Sequence, residues 1–425
     1  MAVMCLTACK KDENEESISQ RTSRTVLIYM SGENNLTVEN SIRYLNYDLE
    51  EIIEGSKQLS NDQRLLVFVD SLNTNKQQSG KPYIIEVHGG KVYERYQFDH
   101  DFYASDPAYF KQVLQWTINN APADSYGLVL WGHACGWTIA QDAIEARTAG
   151  TRAYGLDYGT DFSYGNGQKW MNITQMAEAL SGLPKLEFVF ADCCNMMCAE
   201  IGYALKDATN YLIGSPAEIP GEGAPYHLII PSFFKQGSEL YKGIIDTYFD
   251  YYDEYDINTV PLSVIDTRHI EALAQKTHDV LDRLAEPYPV YPQYPNLVGD
   301  SIMFYWYYDA PIMFDMRSFV KTYAPNDVFQ QWDATYQQAV PHYRTTLQWE
   351  TIYSNLQASF RKFSKDASKN GCVSMFIPRN SSAYFDGIFH YNLTYHEYAW
   401  NRVIDWSRFG WDESITDYRA AAREQ

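Results

Sequence analysis

Four uninterrupted apolar runs limit the fold more than anything else in the chain: Thr25 to Met30 (TVLIYM), Leu65 to Val69 (LLVFV), Gly127 to Trp131 (GLVLW) and Phe188 to Ala191 (FVFA). Each is short, rich in β-branched and aromatic residues, and lacks the alternation of a strand with one wet face. Strands of this kind need cover on both sides, which predicts a mostly parallel sheet between layers of helices, an α/β fold. The intervening segments supply the cover. Helical spacing is present over Val38 to Ile53, from Asp106 to Asn120 with Phe110, Val113 and Leu114 on one face, and over Gln175 to Leu180 with Thr174 as N-cap. Gly89-Gly90 between Tyr83–Val87 and Lys91–Tyr93 marks a hairpin. Further strands are expected at Tyr211 to Ser215, Leu262 to Asp266 and Cys372 to Pro378. Further helices are expected at Glu271 to Leu284, Met313 to Tyr323, Asn326 to Tyr343 and in the aromatic-rich C-terminal stretch. The Tyr/Pro-rich segment Pro287 to Tyr308 reads as a boundary.

Asp and Glu number 54 against 34 Lys and Arg, a net charge of −20, and such a surface repels a phosphate backbone, so nucleic acid is not an expected partner. Past residue 9 no apolar run approaches the roughly 18 to 20 residues of a membrane-spanning helix. Residues 1–9 (MAVMCLTAC) end in Leu6-Thr7-Ala8-Cys9, which resembles a bacterial lipobox with Cys9 as the lipidated residue. The acidic stretch that follows resembles the surface-export signals of Bacteroidetes lipoproteins, and residues 10–23 read as a polar tether. A basic n-region is missing, which implies a start codon upstream. The expectation is an extracytoplasmic protein attached to the outer membrane by a lipid. Without Cys5 and Cys9 there remain Cys135, Cys193, Cys194, Cys198 and Cys372, an odd set that leaves at least one thiol unbridged in an oxidising compartment.

In parallel sheets functional groups gather at the carboxyl ends of the strands. Two such ends carry chemistry. After Trp131 comes Gly132-His133-Ala134-Cys135-Gly136-Trp137, and after Ala191 comes Asp192-Cys193-Cys194-Asn195-Met196-Met197-Cys198-Ala199-Glu200. A thiolate is a strong nucleophile that is scarce near neutral pH, and imidazole is the side chain suited to generate it. Backbone N–H groups in the small-residue turn after His133 and at Cys194 are suited to hold an oxyanion. Spacing alone leaves open a core histidine with space-filling cysteines.

These stretches resemble the clostripain-like cysteine peptidases, relatives of caspases and gingipains, whose histidine lies in W-D-H-G-x-G-W and whose nucleophile lies in D-A-C-L-M-x-x-x-E. The likeness extends to Thr25–Leu36 (TVLIYMSGENNL), Ala123–Trp131 (ADSYGLVLW), Ser215–Tyr226 (SPAEIPGEGAPY) and Val373–Pro378. The resemblance implies a caspase-like α/β/α sandwich with an elaborated C-terminal region, divided as a peptidase domain over 24–285 and a region packed on it over 286–425. It implies His133 as base, Cys194 as nucleophile, and Ala134 and Cys194 as oxyanion donors. Cleavage after Arg or Lys would use Asp192 and a second acid, Glu222 or else Glu218, with maturation by cutting after Arg147 or Arg152. Gly132, Ala134, Cys193 and Asn195 depart from the motifs. Ala134 serves if its φ is negative and is strained otherwise.

Cys193 is the rival nucleophile by adjacency, and a helix starting here would put Cys198 one turn after Cys194. C-C-x-x-x-C lacks the paired C-x-x-C knuckles of zinc sites, so no metal is assigned. Some relatives respond to calcium, but no D-x-D-x-D-G loop is present and no cofactor is committed. Peptides and proteins are the expected partners. A surface lipoprotein that binds peptides or glycans without catalysis is the rival from another class, and a cysteine acyltransferase or amidase would use the same pair of residues.

Overall fold

The computed structural model describes residues 20–37, 42–73, 78–138, 154–159, 169–254, 260–285, 302–308, 310–346, 348–350, 360–362, 369–377 and 397–409. The four apolar runs become β1 (Thr22–Gly32), β2 (Gln63–Asn73), β6 (Ala123–Trp131) and β9 (Leu186–Asp192). Between them lie β3 (Gln78–Ser79), β4 (Tyr83–His88), β5 (Lys91–Gln97), β7 (Tyr154–Asp157) and β8 (Lys169–Met171), and after them β10 (Thr209–Gly214) and β11 (Leu262–Asp266). The C-terminal region adds β12 (Phe304–Tyr308), β13 (Ala310–Asp315), β14 (His342–Arg344), β15 (Gln348–Glu350), β16 (Phe360–Lys362) and β17 (Ser374–Met375).

The central sheet runs β14-β11-β10-β9-β6-β1-β2-β4-β5, with β3 paired to β2. Its middle five strands, β10 to β2 in that order, are parallel, and antiparallel strands close both edges. Period-2 geometry divides each buried strand between two cores. On β1, Leu27 and Tyr29 join the core under the helices Pro107–Asn120, Ile173–Leu180 and Ile270–Ala285. Val26, Ile28 and Met30 join the opposite core, under Tyr44–Gly55 and Gly237–Glu254. The three-layer α/β/α sandwich is the expected one. Trp332, Trp349 and Trp400 of the C-terminal region are fully buried in the first of these cores.

Several boundaries differ from expectation, each for a local reason. The helix read from Val38 begins at Tyr44, and 38–41 lie outside the described residues. Asn172, not Thr174, caps the helix Ile173–Leu180; its N–H donates to Gln175 Oε1 at 3.0 Å in a capping box. Residues 313–315 end β13 rather than begin a helix, because Asp315 caps Met316–Tyr323 by accepting from the Ser318 N–H at 2.6 Å. The next helix stops at Ala339, before Pro341, and β14 follows. The expected strand Cys372 to Pro378 shrinks to β17, with Cys372 at φ 57°. Of the C-terminal stretch only Ala399–Ile404 and a 3-10 turn, Trp406–Phe409, are described. No helix among the described residues is long and apolar enough to cross a membrane.

Candidate active site

The register between β6 and β9 sets the geometry. Trp131 pairs with Asp192 in a parallel ladder, so His133 and Cys194 each stand two residues past the paired ends of neighbouring strands. The loops they head touch each other. A Cβ on Gly136 would lie 2.6 Å from the Asn195 carbonyl oxygen and 3.1 Å from Cys198 Sγ, which is why this close approach takes a glycine, here at φ 62°. Gly132 has φ 140°, and its Cβ would stand 2.9 Å from the Ser31 carbonyl, so the acid usual at that motif position has no room.

His133 is partly exposed, and its Nε2 lies 2.8 Å from Asn35 Oδ1. Asn35 belongs to the turn after β1. There Asn34 fixes the backbone by donating to the carbonyls of Ser31 at 3.0 Å and Leu156 at 2.7 Å. Ala134 is bridged to Tyr154 through the His133 carbonyl, which accepts from the Gly155 N–H at 2.8 Å, so that pairing does not use the Ala134 N–H. Ala134 is absent from the residues of positive φ, which meets the condition for an unstrained N–H donor at this turn.

Among the described cysteines, Cys135, Cys193, Cys198 and Cys372 are buried and Cys194 is partly exposed. Burial, followed by the charges at Cys194 and Asp192, pushes the Cys193 thiol well above the ordinary range. Burial does the same to Cys198. The helix expected to begin at Cys194 begins at Ala199 instead, and Cys198 is its N-cap. Asn195 turns the chain at φ 60°, a left-handed conformation that Asn tolerates far better than the Leu of the family motif. Cys198 Sγ donates to the Asn195 carbonyl at 3.0 Å and lies 3.1 Å from Ser374 Oγ on β17. Glu200 is buried, and its Oε1 accepts from the Phe376 N–H at 2.7 Å.

Asp192 is 3% exposed and takes three donors: the Ala224 N–H at 3.1 Å, Tyr226 Oη at 2.8 Å and Tyr248 Oη at 3.3 Å. Burial raises its pKa to about 6, and these hydrogen bonds hold it from rising further. Glu222 is exposed, and Glu218 is buried. The acid brought beside Asp192 is Asp48. A Cβ on Gly223 would lie 2.9 Å from Asp192 Oδ2 and 3.5 Å from Asp48 Oδ2. Asp48 Oδ2 accepts from Trp131 Nε1 at 2.6 Å, while its buried Oδ1 has no hydrogen-bond partner. The missed signal was positional: Leu45, Asp48 and Ile52 follow helical spacing, so an acid sits in an apolar stripe. Arg147, Arg152 and Cys9 lie outside the described residues.

A partly exposed thiol and a histidine thus stand at adjacent carboxyl ends of a parallel sheet, an arrangement compatible with a cysteine peptidase. The chain matches the Clostripain family, peptidase C11, over residues 28–414 and belongs to it. It is a cysteine peptidase of that family. A secreted C11 cysteine protease from Bacteroides thetaiotaomicron, solved with an irreversible peptide inhibitor, is 27% identical and superposes with a TM-score of 0.71, covering 91% of this chain and 99% of that one. An inactive zymogen C11 protease from Parabacteroides distasonis, at 23% identity, gives a TM-score of 0.71 with 91% and 99% covered, and shares the fold. Another structure of a secreted C11 protease from Bacteroides thetaiotaomicron, at 21% identity, gives 0.72 with 91% and 100% covered. No curated protein matches the chain.

Proposed function

We propose that this peptidase cleaves after Arg or Lys through a Cys194–His133 dyad. The observation that carries the proposal is the Trp131–Asp192 register, which brings the two loops side by side. With Nε2–H donated to Asn35 Oδ1, the imidazole lone pair is on Nδ1. Nδ1 takes the Cys194 thiol proton as Sγ attacks the scissile carbonyl carbon. The oxyanion is met by the N–H groups of Ala134 and Cys194, and His133 returns the proton to the leaving amine. Water, deprotonated by the same imidazole, then hydrolyses the thioester. Cys193 is a poor rival because burial holds its thiol protonated.

The buried pair Asp192 and Asp48 supports a cationic P1 side chain, with the exposed Glu222, next to Gly223 in the chain, as a further acid. The test is a fluorogenic panel with Arg, Lys, Leu or Asp at P1, run under reducing conditions. Turnover confined to Arg and Lys supports the reading; preference for Leu or Asp overturns it. Maturation is proposed by cleavage after Arg147 or Arg152, and an active protein that shows only the full-length mass would overturn that step. Export is proposed by analogy with the secreted relative, and anchoring through Cys9 from the lipobox. Radiolabelled palmitate incorporated into the wild type but not into Cys9→Ser is the expected result.

A further inference from the structure

The hydrogen bonds to Asp192 come from three separate elements and divide between its two oxygens. Oδ2 accepts from the Ala224 N–H at 3.1 Å and from Tyr226 Oη at 2.8 Å, and Oδ1 accepts from Tyr248 Oη at 3.3 Å. Tyr226 opens the short helix Tyr226–Ile229, Tyr248 lies on the helix Gly237–Glu254, and both side chains are buried. Burial holds both phenols protonated, so each has a proton to donate, and among the described residues neither hydroxyl has another acceptor. An ionised carboxylate has lone pairs for all three donors and one to spare, whereas a protonated one must place its own proton where donors already point. The other groups facing Asp192 do not favour its charge. Asp48 and Glu51, on the helix Tyr44–Gly55, set negative charge beside it, and Glu222 acts in turn on Asp48. The Cys193 thiol and the Tyr252 hydroxyl face it uncharged, the latter donating to the Gly223 carbonyl at 2.8 Å. His227, the nearby base, lies with Nδ1 2.9 Å from Glu51 Oε1.

We propose that Tyr226 and Tyr248 are positioning residues for the P1 subsite: their hydroxyls keep Asp192 ionised and aimed to pair with an Arg or Lys side chain. The inference rests on the basic-P1 reading above. It divides the labour between the two acids: Asp48 presents the unpartnered Oδ1, and Asp192 carries the charge that the tyrosines sustain. With both hydroxyls in place, burial takes Asp192 only to about 6. Removing a donor to the charged form raises it further. Attraction for the P1 cation is present above that pKa and lost as pH falls through it, so a variant lacking one hydroxyl loses it at a higher pH.

The test compares kcat/KM of wild type, Tyr226→Phe and Tyr248→Phe for a fluorogenic peptide with Arg at P1 over about pH 5 to 9, since its acid limb reports groups of the free enzyme. Alkylation of Cys194 by iodoacetamide, which is uncharged and leaves the P1 subsite empty, follows the dyad alone over the same range. A hydrogen bond to a charged group is worth about tenfold or more. Tyr226→Phe should therefore move the acid limb up by about one pH unit, with KM raised nearly tenfold at about pH 5.5, less at about pH 8, and kcat little changed. The alkylation profile should stay in place. Tyr248→Phe should shift the limb in the same direction by less, because its bond is longer. An acid limb that moves in neither variant, or only together with the alkylation profile, would overturn the proposal and leave the basic-P1 reading standing. Wild-type protein that turns over neither Arg nor Lys substrates would overturn both.

Discussion

Asn35 Oδ1 lies 2.8 Å from His133 Nε2, and in the proposed dyad it would fix which nitrogen carries the proton. Replacing Asn35 by Ala should lower kcat roughly tenfold or more with little change in KM, a part of the about 10²–10⁴ a positioned base contributes. Asn35→Asp, which keeps the acceptor, should recover much of the loss; equal loss in both variants would assign Asn35 a packing role. Asp48 yields a prediction about specificity. Asp48→Asn should raise KM for Arg and Lys substrates while leaving the rate of Cys194 alkylation by a small uncharged reagent unchanged. The placement of His133 and Cys194 at neighbouring strand ends was legible in sequence because each motif is local, a strand end followed by a turn. Asn35 and Asp48 were not, because they reach the site from β1 and from the helix Tyr44–Gly55, and only the folded sheet brings those segments alongside.

The elements that hold the two loops include parts of the chain far away in sequence. Ser374 on β17 donates its N–H to the Met197 carbonyl at 2.9 Å, and Phe376 packs edge-on against Trp137 with ring centroids 5.0 Å apart. The Phe376 N–H also bonds Glu200, so the C-terminal region braces both the histidine and the cysteine loops. Glu200→Ala orphans that buried N–H and should cost about 1–3 kcal/mol in denaturant unfolding. Glu200→Gln, which retains an acceptor oxygen, should cost far less. The central strands were legible as continuous apolar runs. The C-terminal boundaries were not, because short strands next to helices share the same aromatic residues, and periodicity does not separate a strand end from a capped helix start at Asp315.

Across the whole molecule, buried carboxylates reverse the usual dependence of stability on acid. Burial raises Asp192 and Asp315 from 3.8 to about 6 and Glu200 from 4.5 to about 7. Each binds its proton more tightly folded than unfolded, so its contribution is full below about pH 4 and is lost as pH rises through 6 to 7. The net charge of −20 adds repulsion in the same direction. Tm should therefore be higher at pH 5 than at pH 8 at fixed ionic strength, and a steady rise in Tm over that interval would contradict this balance. The three-layer sandwich also makes the thiols unequal: among the described cysteines Cys194 is partly exposed and the others are buried, as the proposed nucleophile requires. The most direct measurement is peptide mapping by mass spectrometry after reaction with a chloromethyl ketone carrying Arg at P1. The expected result is a single adduct on Cys194, absent from Cys194→Ala and strongly reduced in His133→Ala. An adduct on Cys193 or Cys135, or labelling of Cys194 that does not depend on His133, would contradict the dyad.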